Sequence, residues 1–68
     1  MLAIGNKIRV TTASVKPTAT IRGYGVWRDD SGEMVEAYLV YLDTPITDVS
    51  QRLIVTVAAV PVDKVEVL

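Results

Sequence analysis

Val35-Glu36-Ala37-Tyr38-Leu39-Val40-Tyr41-Leu42 is apolar at nearly every position, and so is Arg52-Leu53-Ile54-Val55-Thr56-Val57-Ala58-Ala59-Val60. A β-strand sends successive side chains to opposite faces, so such runs predict apolar groups on both sides of a sheet. The chain has only 68 residues, enough for one core but with no helix to spare for a second face. The surplus predicts a partner surface.

Upstream of the first run, Asp29-Asp30-Ser31-Gly32 reads as a turn: Gly supplies a positive φ, and the Asp and Ser side chains cap backbone groups. It joins a second strand, Thr18 to Arg28, to a third, Glu33 to Asp43. With a four-residue turn Arg28 faces Glu33, and counting back sets Ile21 opposite Val40, Gly23 opposite Tyr38 and Arg22 opposite Leu39. This register puts Ile21, Tyr38, Val40 and Leu42 inside, and Arg22, Tyr24, Ala37, Leu39 and Tyr41 outside. Gly23 and Gly25 permit sharp coiling or a β-bulge that moves Val26 and Trp27 between faces, so the facing of Trp27 stays open.

The rest of the chain is read the same way. Lys7 to Thr11 alternates, with Ile8 and Val10 on one face, as a half-buried first strand. Thr12-Ala13-Ser14-Val15-Lys16-Pro17 is a polar loop closed by a residue that cannot donate to a ladder. Thr44 to Ser50 reads as a second loop and Arg52 to Ala58 as a fourth strand, with Leu53, Val55 and Val57 inside and Arg52, Ile54, Thr56 and Ala58 outside. Val60-Pro61-Val62-Asp63 is a tight link of about one 3₁₀ turn, and Lys64 to Leu68 a short fifth strand. One all-β domain, residues 1–68, follows.

Composition removes whole classes of function. Seven Lys and Arg against eight Asp and Glu leave a net charge of −1, which gives no long-range attraction to nucleic acid or to an anionic membrane. With no Cys and no His, disulfides and the usual zinc ligands are missing, so oligomerisation is the expected source of extra stability in so small a domain. No run approaches the roughly 20 residues of a membrane span, and the N-terminus lacks a signal-peptide pattern; a cytoplasmic location is expected.

Gly5-Asn6-Lys7-Ile8-Arg9-Val10, Ala19-Thr20-Ile21-Arg22-Gly23, Tyr38-Leu39-Val40-Tyr41-Leu42 and Val60-Pro61-Val62-Asp63-Lys64-Val65-Glu66-Val67 follow one another as the strands of a small barrel do. In this order the chain resembles the SH3-like five-stranded small β-barrel over almost its whole length. An OB-like barrel is the structural rival, and it usually carries a helix between strands three and four that this sequence does not show. Ala19 to Trp27 and Val62-Asp63-Lys64-Val65 are also loosely similar to the type II dihydrofolate reductases, SH3-like barrels that assemble as tetramers around a pore. That family lines its pore with a Val-Gln-Ile-Tyr stretch, where this chain has Ile54-Val55-Thr56-Val57, so no catalytic role carries over.

Chemistry is sparse. Without His or Cys the commonest general bases and nucleophiles are absent, and Ser14, Ser31 and Ser50 have no base to activate them. Asp29, Asp30 and Glu33 surround a turn and read as solvated turn residues, lacking the ligand spacing of an EF-hand loop. Gly23-Tyr24-Gly25 opens no helix and makes no phosphate loop. No catalytic residue, metal site or cofactor is expected.

The outward residues of strands three and four, Leu39, Tyr41 and Ile54 with Ala37 and Thr56, form the expected interface. Burying three such side chains contributes on the order of 5 kcal/mol before entropic costs. The competing expectation is that the Thr44 to Ser50 loop folds back and covers them with Ile46 and Val49. The leading functional expectation is a non-enzymatic interaction or assembly module that forms a homo-oligomer or takes a protein partner. A nucleic-acid-binding barrel using Lys7, Arg9, Arg22 and Tyr24 is the alternative, and a pore-type oligomeric enzyme comes third.

Overall fold

In a computed structural model, which describes residues 2–12 and 15–68 and gives only the backbone of Asp48, the chain is all-β with no α-helix among the described residues. Five strands, β1 (Lys7–Val10), β2 (Thr18–Arg28), β3 (Met34–Asp48), β4 (Leu53–Pro61) and β5 (Val65–Val67), make one antiparallel sheet in the order β4-β3-β2-β1-β5. A 3₁₀ turn, Val62–Lys64, joins β4 to β5. Ala13 and Ser14, in the middle of the expected first loop, lie outside the described residues.

The alternation of β1 fixes the core face. Ile8 and Val10 are buried together with Ala19, Ile21, Tyr38, Val40 and Val60, and Leu2, Leu42, Ala58, Val62 and Val65 pack around them. Val60 on β4 reaches this cluster although two strands separate β4 from β1, so the sheet curls over its own core. It does not close: β4 and β5 remain its two edges. The N-terminal segment seals one end, where the Leu2 amide donates to the Tyr38 hydroxyl at 3.1 Å and the Gly5 amide to the Ile21 carbonyl at 2.8 Å.

The β2–β3 hairpin keeps the expected register at Ile21 opposite Val40 and below it, at Thr20–Tyr41 and Ala19–Leu42, but not above. Above that pair Gly23 faces Leu39, Tyr24 faces Tyr38 and Arg28 faces Met34, because the ladder shifts between Ile21 and Gly23. Arg22 is the extra residue of a β-bulge, placed where Gly23 offers no side chain to resist it. The hairpin loop is correspondingly one residue longer. Asp29 organises it: its Oδ1 accepts from the Ser31 amide, the Ser31 hydroxyl and the Glu33 amide at 2.9, 2.6 and 3.0 Å. Gly32 closes the turn at φ +89.

Two expectations for the second half of the chain are overturned. Thr44 to Asp48 is strand, not loop: Ile46, Thr47 and Asp48 pair with Val55, Ile54 and Leu53. Pro45 falls in the irregular stretch between the Tyr41 and Ile46 pairs, where no ladder bond to β4 is asked of it. Val49, 82% exposed in the tip that follows, covers nothing. The facing of β4 is inverted as well. Ala58 pairs with Val40 and Val60 with Tyr38, so these two turn to the core, whereas Leu53 and Val57, expected inside, are exposed.

Candidate interaction surface

Residues paired across an antiparallel ladder share a face, which maps the side of the sheet opposite the core. Gly25, Ala37 and Pro61 form one row across β2, β3 and β4; Gly23, Leu39 and Ala59 form the next; Thr20, Tyr41 and Val57 form the third. This second face is apolar, as the doubly apolar runs require.

Its upper end is covered from within. Trp27 alternates with Gly25 along β2, and a Cβ built on Gly25 would lie 2.7 Å from the indole Cζ3. Only a glycine lets the indole lie flat there. The ring and its neighbours Val35, Ala59 and Pro61 line a shallow pocket with Ala37, and Ala37 is only 1% exposed. Trp27 therefore faces away from the core and acts as a lid, and Ala37 is no longer free to meet a partner. Nothing in the spacing of Gly25 and Trp27 alone decided this, since a one-residue bulge anywhere in β2 flips the ring.

The lower rows are open. Leu39 is half-buried, Tyr41 is 49% exposed and Val57, directly opposite it on β4, is 44% exposed. Arg22 leaves the bulge on this side and places its guanidinium carbon 5.2 Å from the centroid of the Tyr41 ring, a cation–π arrangement. Below, Lys7 donates to Asp43 Oδ1 at 2.7 Å and Thr20 donates to the same oxygen at 3.3 Å. Hydrogen bonds from Lys7 and Thr18, together with the Lys7 charge, hold the Asp43 carboxyl below the usual aspartate range. The open strip is thus bounded by an indole at one end and an ion pair at the other.

Of the five residues expected at the interface, the structure brings Leu39 and Tyr41 together, and Ala37 lies beneath the Trp27 lid. Ile54 and Thr56 stand elsewhere. Alternation along β4 puts them on the side of Ala58 and Val60, beyond the end of the core, where both are exposed. Val57 and Ala59, missed because β4 was assigned the opposite parity, take their place beside Tyr41 and Leu39.

The four residues of the nucleic-acid alternative are divided between faces. Lys7 and Arg9 pair with Thr20 and Thr18 on the outer side, Lys7 is engaged by Asp43, and Arg9 stands opposite Glu66. Tyr24 pairs with Tyr38 on the core side, its ring centroid 5.9 Å from that of Tyr38. Desolvation, and then Glu36 beside it, raises the Tyr24 phenol above its ordinary value. Of these four, Arg22 alone is seen to join a cation to an aromatic ring on the open face, that of Tyr41.

A groove of about 490 Å³ lies at the foot of the sheet, lined by Val15, Pro17, Thr18, Pro45 and Ile46 with two further threonines. Among the described residues no helix is long and apolar enough to cross a membrane. No protein-family model matches this chain, and no curated protein or solved structure matches it significantly.

Proposed function

We propose that this chain is an SH3-like small barrel acting as a non-enzymatic interaction or assembly module, and that it self-associates through the outer face of β3 and β4. The strand order, with β5 returning beside β1 after a 3₁₀ turn, supports the SH3-like reading. The observation that carries the functional reading is the pair Tyr41 and Val57, half exposed side by side on adjacent strands with Leu39 next to them. Adjacent apolar side chains on a sheet mark an interaction surface more often than scattered ones do. Covering the exposed half of each contributes about 1 kcal/mol apiece. The proposal includes a cytoplasmic site of action and requires no cofactor.

Sedimentation at micromolar concentration tests it. The expected result is an oligomer that Tyr41→Lys or Leu39→Lys converts to monomer; a strict monomer in the unsubstituted chain overturns the reading. Arg22 stacked on Tyr41 favours nucleic acid as the second reading, and the absence of a gel shift with single- and double-stranded DNA and RNA at tens of micromolar dismisses it. Enzymatic activity in an oligomeric pore ranks third, and dye-displacement screening against nucleotides and folates tests that.

A further inference from the structure

The two edges of the sheet are unlike. β5 is three residues long with Glu66 at its centre, a short charged edge of the kind that resists pairing with another chain. β4 is nine residues long, Leu53–Pro61, and contains no charged side chain. Alternate residues of such an edge point their N–H and C=O groups away from β3, and among the described residues no loop or turn bonds to them. Neither Lys nor an interior Pro protects the strand. Its single proline, Pro61, stands at the end, where the chain leaves the sheet.

We infer that β4 pairs with β4 of a second copy of this chain, antiparallel about a two-fold axis at Val57, so that the two sheets become one of ten strands. The inference rests on the reading that the protein self-associates on its β3–β4 side, and it names how. The sequence of the edge is what selects a second copy. A two-fold perpendicular to a continuous sheet preserves faces, so only residues of equal parity can stand opposite one another. Centred on Val57, the register sets Thr56 against Ala58, Val55 against Ala59, Ile54 against Val60 and Leu53 against Pro61, apolar or hydroxyl throughout.

The length of the strand chooses among registers. Val57 is the central residue of β4, so this register pairs all nine residues, Leu53 to Pro61, with one another. Moving the axis to Ala58 leaves Leu53 opposite the 3₁₀ turn, Val62–Lys64, which carries no ladder. The Val57 register also places the two Val57 side chains together on the outer face, each beside its own Tyr41. The open strips of the two copies then run together.

The chain has no cysteine, so single thiols can read the register. Val57→Cys, Thr56→Cys and Ala58→Cys are made in the full chain at exposed or half-buried positions and oxidised without denaturant, with circular dichroism as the control for folding. Opposed residues on paired strands bring their Cβ atoms within about 5.5 Å. Val57→Cys is therefore expected to cross-link about tenfold faster than Thr56→Cys or Ala58→Cys alone, and a mixture of the latter two faster than either by itself. Equal rates at all three positions, while sedimentation still shows an oligomer, overturn the edge pairing and leave the face reading standing. The expected pattern persisting in a Tyr41→Lys background that remains dimeric upholds the edge pairing and overturns the face reading. A monomeric unsubstituted chain overturns both.

Discussion

The β1 side of the sheet and the β4 side meet the same requirement, burial of a strand, in different ways. On β1, Ile8 and Val10 enter the core while Lys7 and Arg9 stand outside against Thr20 and Thr18, so one face is apolar and the other is polar. On β4, Ala58 and Val60 enter the core while Val57 and Ala59 on the opposite face are also apolar. The first strand is finished when the monomer folds. The second is half finished, and the molecule supplies only part of the missing cover, through Trp27.

The difference predicts unequal sensitivity to truncation. Ile21, 1% exposed and packed between β1 and β3, is among the largest fully buried side chains. Ile21→Ala should cost about 2–5 kcal/mol, against a total of about 5 kcal/mol expected for a domain of this size, and leave a largely unfolded population in urea titrations. Val57→Ala should lower monomer stability by about 0.5 kcal/mol or less. A comparable loss at both positions would mean that the outer face is a second core and would break the comparison.

The Trp27 lid gives an intermediate case. Gly25→Ala forces the indole off the sheet, an overpacking that costs about 1–3 kcal/mol. Gly23→Ala meets only ordinary contact, with Leu39 Cβ 3.5 Å away, and should change stability little. Thermal unfolding of the pair, with indole fluorescence as the second readout, distinguishes a lid from a ring that happens to lie there. A red-shifted emission in Gly25→Ala alone is the expected result.

These contrasts also explain what could be read in advance. The Ile21–Val40 pairing was legible only through two offsetting one-residue differences: the turn after Arg28 is one residue longer than Asp29 to Gly32, and the bulge at Arg22 takes up the extra residue. Tyr38, Val40 and Ile8 then followed by alternation. β4 offered no such count: Leu53, Val55, Val57 and Ala59 are as apolar as Ile54, Thr56, Ala58 and Val60, so the pattern is symmetric under a one-residue slip. Its facing is decided by Tyr38 and Val40 across the ladder, a tertiary fact. Pro45 misled for a related reason, since it sits in the irregular stretch of β3 between the Tyr41 and Ile46 pairs, where it meets no residue of β4. The outward facing was therefore legible on β3, at Leu39 and Tyr41, and inverted on β4.

Tyr41→Lys separates folding from association within this surface. The side chain is half exposed and touches Arg22 rather than the core, so the monomer should lose no more than about 0.5 kcal/mol. Self-association should weaken about tenfold or more, since each copy loses an apolar contact and gains a charge beside Arg22. Sedimentation at several concentrations measures it. Undiminished association would take the contact off this face, to the β4 edge or to the foot of the sheet.

The smallest effects concern two aspartates that hold the ends of these elements by different means. Asp29 lies below the usual carboxylate range chiefly because the Ser31 hydroxyl bonds to it, with the Glu33 and Ser31 amides adding to the effect. Asp43 does so chiefly through Lys7, whose charge adds to the hydrogen bond. Both carboxylates bind a proton less readily in the folded chain than in the unfolded one. Their contributions to stability are thus fully present above the unfolded value of about 3.9 and are lost as pH falls through the lower folded values. Salt should tell them apart. The Lys7–Asp43 pair is solvent-exposed, with side chains 56% and 31% accessible, and at about 1 M ionic strength, where the Debye length is about 3 Å, much of its attraction is screened. Carboxyl titration followed by NMR should show the Asp43 value rising with added salt while Asp29 holds, and Ser31→Ala should raise Asp29 alone. Equal salt dependence at the two sites would show that the turn, like the ion pair, is held by charge, and would remove the distinction between the β2–β3 turn and the β1–β3 bridge.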